Sequence, residues 1–200
     1  MNTIIGPDGI TRCRWSESVP EFLRYHDTEW GFPVKDDRRL FEKLCLESFQ
    51  SGLSWRTILV KRENFRAAFA NFDINKMADF GQTDVARLLQ DKGIVRHRGK
   101  IEAVINNAAR AQEIVAQEGS LAAFVWSYEP DASQLGEPQT ASTSIESIAL
   151  SKELKKRGWK FVGPTTVYAF MQAMGLVNDH AEGCAMRAKA QQDRQSFIRP

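Results

Sequence analysis

Hydrophobic residues recur along most of this chain at the three-and-four spacing of helices that bury one face. The clearest stripe contains Leu40, Phe41 and Leu44, and it follows Asp36 and Asp37, either of which can cap the start of a helix. We find no sustained alternation of apolar and polar residues, which would be typical of half-buried strands. The hydrophobic pattern therefore predicts an all-α fold.

The same spacing, together with capping residues, predicts further helices and one irregular segment. We expect these helices at about residues 20–26, 54–69, 83–90, 100–118, 144–157 and 164–174. Pro130, Gly136 and Pro138 interrupt the pattern between residues 129 and 143, which favours an irregular loop. The sequence thus predicts one helical domain over residues 12–184, in one body or in two lobes around a cleft, with a tail at residues 1–11 and a polar tail at residues 185–200.

Composition narrows the class of protein without identifying it. The 200 residues are 42% hydrophobic and 26% charged, as in an ordinary globular protein. A membrane-spanning helix needs about 20 apolar residues, and no apolar run approaches this length. The first residues also lack the pattern of a secretion signal. We therefore expect a cytoplasmic protein without a membrane partner. The net charge of +2 permits nucleic acid as a partner but does not demand it.

Cysteine and histidine residues near the two ends of the chain have the composition of a metal site. Cys13 and His26 lie near the start, and His180 and Cys184 lie four residues apart near the end. Two thiolates and two imidazoles fill the tetrahedral coordination of a structural zinc ion and leave no open position. From the spacing alone, a second interpretation is equally open: the cysteines are buried thiols and the histidines are ordinary core residues. Cys45 falls on an apolar stripe and is expected to be a core thiol.

A carboxylate in the middle of a hydrophobic pattern is a second candidate site. Glu47 lies at the border of the buried stripe, and Trp55 follows it within nine residues. Trp15 and Tyr25 lie close in sequence to the candidate metal ligands. Aromatic faces and a hydrogen-bond acceptor are what a purine pocket requires. From the residues alone, ordinary core aromatics and a surface charge are the favoured interpretation.

Two glycine-punctuated basic turns are candidates for binding phosphate groups. They cover residues 92–100 and 157–166, and the second joins two predicted helices. Glycine lets backbone N–H groups approach a phosphate, and the start of a helix favours an anion. Each turn alone is more typical of a solvated basic surface, but two of them favour nucleic acid. The candidate residues are Arg96, Arg98, Lys100, Lys160, Gly163 and Thr165.

Short motifs in a fixed order extend from about Arg12 to Cys184. They include Cys13-Arg14-Trp15, Tyr25-His26-Asp27, Glu29-Trp30-Gly31, Leu46-Glu47, Gln50-Ser51-Gly52-Leu53-Ser54-Trp55, Arg62-Glu63-Asn64, Arg96-His97-Arg98-Gly99-Lys100, Phe161-Val162-Gly163 and Gly175-Leu176-Val177-Asn178-Asp179-His180. This series closely resembles the 3-methyladenine DNA glycosylase I family. The resemblance implies an all-α helix-hairpin-helix fold with a zinc site that joins the N- and C-terminal segments.

The resemblance also assigns roles to the candidate residues. It implies that Cys13, His26, His180 and Cys184 hold structural Zn²⁺, and that Glu47, Tyr25 and Trp55 form the base pocket with Trp15 as a neighbour. The expected reaction is hydrolysis of the N-glycosidic bond of 3-methyladenine in double-stranded alkylated DNA. We expect Glu47 to be the catalytic residue and 3-methyladenine to be the released product.

The sequence departs from the family pattern at three positions. Ser48 and Ser51 stand where glycine and alanine are expected, and Phe22 stands where some relatives carry tyrosine, which removes a hydroxyl. No lysine follows the hairpin glycine, where residues 164–166 are Pro-Thr-Thr. Because strand-cutting relatives use a lysine nucleophile there, we expect a monofunctional enzyme that leaves an abasic site.

Several assignments stay open on sequence alone. Leu53 is a candidate for the side chain that wedges into the DNA stack. Asp179 contributes to catalysis or positions its neighbour His180. Nothing in the sequence demands more than a monomer. A zinc-stapled DNA-binding module without catalytic activity is the alternative to an enzyme.

Overall fold

The computed structural model describes residues 2–200, and helices form most of this range. The elements are, in chain order, β1 (Thr3–Ile5), β2 (Thr11–Cys13), α1 (Pro20–Thr28), α2 (Asp37–Gln50), α3 (Trp55–Leu59), α4 (Arg62–Ala68), α5 (Ile74–Ala78), α6 (Gln82–Gln90), α7 (Arg98–Glu118), α8 (Leu121–Trp126), α9 (Ile145–Lys156), α10 (Pro164–Ala173) and α11 (Ala185–Ser196). The predicted helical fold is confirmed.

Helix α2 occupies the centre of the molecule. The side chain of Asp36 accepts a hydrogen bond from the backbone N–H of Arg39 and so caps its first turn. Asp37 instead accepts from the backbone N–H groups of Leu121 and Ala122, which fixes the start of α8 against α2. Every residue of α2 from position 40 to position 49 is buried, because α7, α8 and α10 pack around it. Charged residues on this helix are therefore buried as well.

A hairpin of residues 157–163 joins α9 to α10, which pack against each other. Gly158 has φ +83°, a conformation that glycine adopts without strain, and Pro164 occupies the first turn of α10. Phe161 also has a positive φ of 55°, although it is not glycine. The hairpin thus turns sharply twice before the second helix begins.

The segments expected to be tails contain secondary structure. Strands β1 and β2 form an antiparallel hairpin in which Thr3 pairs with Cys13 and Ile5 pairs with Thr11. The expectation of a polar tail after position 185 is wrong, because α11 buries Ala190 and Arg194. The guanidinium of Arg194 donates to the carbonyl oxygen of Gly175 and pairs with Glu129 at 2.7 Å. One long cationic side chain therefore anchors an otherwise polar helix.

Two other helix predictions also differ from the structure. The helix expected over residues 54–69 is two helices, α3 and α4, which are separated by Val60 and Lys61. Helices α5 and α8 were not predicted, because each is only five or six residues long and too short for a clear period. None of the described helices is long and apolar enough to cross a membrane.

Candidate functional site

Four side chains from the two ends of the chain meet in a buried cage. Cys13 ends β2, His26 lies on α1, His180 follows α10, and Cys184 immediately precedes α11. Their ligand atoms all lie within 4.8 Å of one another. His180 Nδ1 lies 3.3 Å from His26 Nε2 and 3.8 Å from each sulfur, and Cys184 Sγ lies 3.5 Å from His26 Nε2. This cage can hold one small metal ion.

Neighbouring groups fix the orientation of both imidazole rings. His26 Nδ1 lies 2.7 Å from a carboxylate oxygen of Asp27, and His180 Nε2 lies 3.0 Å from the carbonyl oxygen of Trp30. Each ring therefore donates one N–H outward and turns its other nitrogen into the cage, as metal-bound histidines do. Arg12, itself buried, holds Asp27 through its Nε atom at 2.9 Å.

Two glycines, Gly31 and Gly175, have no space for a side chain. Gly31 has φ +86°, and a Cβ atom there would lie 2.8 Å from Nε2 of His180. Gly175 has φ +76°, and a Cβ atom there would lie 2.5 Å from the backbone of Phe32 and Pro33. Glycine is therefore required at both positions, for conformation and for space.

A second group of polar side chains lies beside α2, and Lys43 is at its centre. Its Nζ atom lies 2.7 Å from Oε1 of Glu47, one helical turn later, and donates a hydrogen bond of 2.7 Å to the hydroxyl of Tyr25. The same atom lies 3.4 Å from the centre of the Trp55 ring. Tyr25 and Trp55 also contact each other, with ring centres 5.3 Å apart. The structure thus brings together three of the predicted pocket residues and one residue that was not predicted.

Burial shifts the pKa values of Lys43 and Tyr25. Desolvation lowers the pKa of Lys43, and the nearby carboxylate of Glu47 opposes this effect. Desolvation and the same carboxylate raise the pKa of the Tyr25 hydroxyl well above its usual value. The side chains of Lys43 and Glu47 are only 6% and 5% exposed, so water screens their interaction little.

A small cavity opens beside these residues, with a volume of about 30 Å³. Charged side chains form much of its wall, among them Glu29, which pairs with Arg62 on α4 at 2.5 Å. The Nε1 atom of Trp55 is buried and has no hydrogen-bond partner in the described part of the chain. A polar ligand or a water molecule would satisfy this donor.

Trp15 connects the pocket to the metal cage. Its ring lies 6.3 Å from Tyr25 and packs edge-on against His26 and Trp30, at 5.2 and 5.1 Å between ring centres. Phe22 packs on it at 5.7 Å. Trp15 therefore lies behind the pocket wall, and the two ends of the chain support the wall through these aromatic contacts.

The two basic turns form one continuous surface. His97, at the start of α7, has its ring centre 6.4 Å from that of Phe161 in the hairpin. The side chain of Asn107 accepts from the backbone N–H of Lys160 and donates to the carbonyl oxygen of the same residue, each at 2.9 Å. The hairpin is thus held against α7. Arg96, Arg98, Lys160 and Thr165 are exposed, and Gly163 is partly exposed.

Lys100 does not belong to this exposed basic surface, contrary to the sequence prediction. It is buried, and its Nζ atom donates to the carbonyl oxygens of Phe49 and Ser51 at the C-terminal end of α2. A cation at the end of a helix satisfies carbonyl groups that lack partners within the helix. Lys100 therefore fixes the turn that carries Leu53, whose side chain is 41% exposed.

Two further candidate residues have packing roles in the structure. Both carboxylate oxygens of Asp179 are used, since they accept from the backbone N–H of Gln139 and the side chain of Gln172, at 2.8 and 2.6 Å. Asp179 thus anchors the irregular loop over residues 129–143. Cys45 is buried in the core, as predicted.

The sequence does not predict a role for Lys43, for the pair of Arg62 with Glu29 or for the pair of Arg66 with Glu42 beside the pocket. The available signal was the spacing of Lys43 and Glu47, which places two opposite charges one turn apart on a helix. That spacing is usually found on solvated faces, so it indicated no site.

The chain is similar to known proteins over most of its length. The sequence model of the methyladenine glycosylase family matches residues 15–188. The chain is 52% identical over 180 residues to DNA-3-methyladenine glycosylase 1 of Escherichia coli (strain K12), a match that covers 88% of this chain and 96% of the relative. It is 44% identical over 178 residues to the DNA-3-methyladenine glycosylase of Haemophilus influenzae, with 87% and 96% covered.

Solved structures agree with the sequence relatives. A variant of a 3-methyladenine DNA glycosylase I, solved in complex with 3-methyladenine, superposes with a TM-score of 0.82 at 37% identity. This match covers 88% of the present chain and 97% of the solved one. The similarity therefore extends over almost the whole described fold.

Proposed function

The chain belongs to the methyladenine glycosylase family, and we propose that it excises 3-methyladenine from alkylated DNA during base-excision repair. The observation that carries this function is the group of Glu47, Tyr25 and Trp55, which meet at Lys43; Tyr25 and Trp55 also line one small cavity. Aromatic rings can pack against a purine, and a buried carboxylate can accept hydrogen bonds from it.

The chemistry of the substrate suits a pocket with few reactive groups. A glycosylase turns the target nucleotide out of the duplex, which costs least for a damaged or poorly paired base. Methylation at N3 makes the base in the nucleotide cationic, so it leaves as a neutral purine with little need for protonation. Glu47 then favours the electron-poor base through its charge and accepts hydrogen bonds from the N6 or N7 side.

The start of α10 supports hydrolysis without strand cleavage. Pro164, Thr165 and Thr166 occupy the first turn after the hairpin, so this turn offers no lysine nucleophile. The amine of Lys43 is engaged with Glu47 and Tyr25. We therefore infer a monofunctional enzyme that leaves an abasic site. Trapping of a covalent DNA complex with borohydride would contradict this inference.

Double-stranded DNA is proposed to dock across the hairpin and the start of α7. Arg96, Arg98 and Lys160 are exposed on this surface, and the backbone N–H groups of Gly163 and Thr165 lie at the start of α10. Phosphate contacts of this kind position a protein on DNA without reading its sequence. Leu53 and Phe161, which is 40% exposed, are the large apolar side chains available to wedge into the stack.

Zinc is the ion proposed for the buried cage. Tetrahedral bonds of about 2.05 Å to nitrogen and about 2.3 Å to sulfur imply a nitrogen–nitrogen distance of about 3.3 Å and nitrogen–sulfur distances of about 3.6 Å. The cage has a nitrogen–nitrogen distance of 3.3 Å and nitrogen–sulfur distances of 3.5 and 3.8 Å. With four protein ligands, the ion would join the chain ends and take no part in the reaction.

The deciding experiment incubates the protein with N-methylated duplex DNA and identifies the released bases by chromatography. Release of 3-methyladenine is expected from the wild type, and Glu47→Gln should lose most of it. Glu113→Gln, an exposed acid on α7, is the matched control and should keep full activity. DNA binding without base release from the wild type would instead support a non-catalytic DNA-binding module.

A further inference from the structure

The ammonium group of Lys43 engages all the groups that the proposed function assigns to the base. Its three N–H donors meet the carboxylate of Glu47, the hydroxyl of Tyr25 and the face of the Trp55 ring. Glu47 has no other side-chain ion pair in the described chain. The charge of the proposed catalytic carboxylate is therefore already compensated from within the protein.

The position of the ammonium group coincides with the position expected for a stacked base. Atoms packed on an aromatic face lie about 3.5–4.0 Å from it. Nζ of Lys43 lies 3.4 Å from the centre of the Trp55 ring, on the side where it also reaches Glu47. A base that stacks on this face and bonds to Glu47 would overlap the ammonium group.

The remaining space is too small for both. The cavity of about 30 Å³ has room for about two water molecules, far less than a purine needs. The lining includes two carboxylates, Glu29 and Glu42, which pair with Arg62 and Arg66. Because the lysine side chain is long and flexible, its ammonium group can withdraw toward these carboxylates when Glu47 is taken by a ligand.

We propose that Lys43 is an internal competitor of the base in this pocket, and so determines base affinity. The ammonium group and the base exclude each other at Glu47 and Trp55, and the base binds only when Lys43 withdraws. Return of Lys43 to Glu47 promotes release of the free purine after cleavage. A cation beside the pocket also disfavours a cationic base, since like charges repel across a poorly solvated space. This inference rests on the proposed function, because it assumes that the same pocket takes the base.

The test measures binding of free 3-methyladenine to the intact protein by quenching of tryptophan fluorescence, without DNA. Lys43→Met keeps the length of the side chain and removes its charge, and we expect it to bind the base at least tenfold more tightly than the wild type. Lys43→Gln, which keeps a donor, is expected to show a smaller gain. The control Lys155→Met removes an exposed lysine on α9 and should bind like the wild type.

A gain in affinity cannot result from partial unfolding, so it separates competition from a merely structural role. If neither Lys43→Met nor Lys43→Gln binds the base more tightly than the wild type, the proposal is wrong. This outcome is distinct from failure of the proposed function, which is decided by release of 3-methyladenine from methylated DNA by the wild type.

Discussion

The hydroxyl of Ser48 lies 3.0 Å from the carbonyl oxygen of Phe161. Ser48 directly follows Glu47 on α2, and Phe161 is an exposed residue of the hairpin between α9 and α10. The hydroxyl also reaches the carbonyl oxygen of Leu44, at 2.8 Å within α2. The helix that carries the proposed catalytic carboxylate is thus tied directly to the proposed DNA-binding surface.

Ser48→Ala should weaken this connection without changing the pocket. We expect the free energy of unfolding to fall by about 1 kcal/mol, the usual contribution of one hydrogen bond. The KM for methylated DNA should rise, while binding of free 3-methyladenine stays as in the wild type. Ser196→Ala, at the end of α11, removes a hydroxyl far from the hairpin and should change neither. An unchanged KM in Ser48→Ala would show that the contact does not position the hairpin.

The buried pair of Lys43 and Glu47 should show strong coupling in a double-mutant cycle. Lys43→Met or Glu47→Met alone leaves one buried charge without its partner and should cost about 3–5 kcal/mol. The double variant replaces both charges by apolar groups and should be close to the wild type in stability. Urea unfolding of the four proteins measures the cycle, and additive losses would mean that the two charges are independent.

The proposed zinc site predicts a clear difference among the three cysteines. Cys13→Ala should lose the metal, which elemental analysis should find at about one zinc per chain in the wild type. An ordinary core substitution lowers the free energy of unfolding by about 1–3 kcal/mol. Cys13→Ala should lower it by more, because metal binding contributes to folding. Cys45→Ala is the matched control, since Cys45 is buried but is not a ligand. Full metal content in Cys13→Ala would exclude the site.

The sequence predicts those elements of the fold that depend on helix period and capping, which are local properties of the chain. The stripe of Leu40, Phe41 and Leu44 and the cap at Asp36 place α2 correctly, because helix period and capping are local properties. The residue pattern of α11 is also local, but the burial of this helix depends on residues that are distant in sequence. Ala190 and Arg194 dock on a surface that exists only after α10 and the loop before α9 have folded. A polar helix of this kind therefore resembles a tail in the sequence.

The candidate site shows the same division. The ligand set of the cage could be chosen from residue types, although nothing local brings Cys13 to Cys184. The resemblance to a known family selected Glu47, Tyr25 and Trp55 together. Lys43 was not predicted because a lysine one turn from a glutamate normally lies on a solvent-exposed helix face. In this structure residues 40–49 of α2 are all buried, and the pair of Lys43 and Glu47 is buried with them. Burial of a charged residue depends on the complete tertiary structure.

The basic surface should be revealed by the salt dependence of DNA binding. Arg96→Ala and Lys160→Ala should each weaken binding of duplex DNA and reduce the slope of log K against log salt by about 1, the value expected for one lost phosphate contact. Lys100→Ala should leave the slope unchanged and lower the free energy of unfolding, because its ammonium group binds the end of α2. A reduced slope in Lys100→Ala would instead return this residue to the DNA-binding surface.

The lowered pKa of buried Lys43 predicts how stability depends on pH. Desolvation lowers this pKa from its ordinary value of 10.5, so Lys43 binds fewer protons in the folded chain than in the unfolded chain. Stability from this group therefore rises with pH between the folded and the unfolded pKa and is lost as pH falls through the folded value. The reference is the double variant Lys43→Met/Glu47→Met, which lacks Lys43 and its ion-pair partner.

Urea unfolding from about pH 7 to about pH 9.5 should show the wild type gaining stability relative to this double variant. The upper limit avoids Tyr25, which titrates near pH 10 in the unfolded chain and has a raised pKa in the fold, so that it has the opposite effect at higher pH. A difference that stays constant would mean that the carboxylate of Glu47 cancels the desolvation of Lys43. A difference that falls with pH would show a raised pKa for Lys43 and contradict the assigned direction.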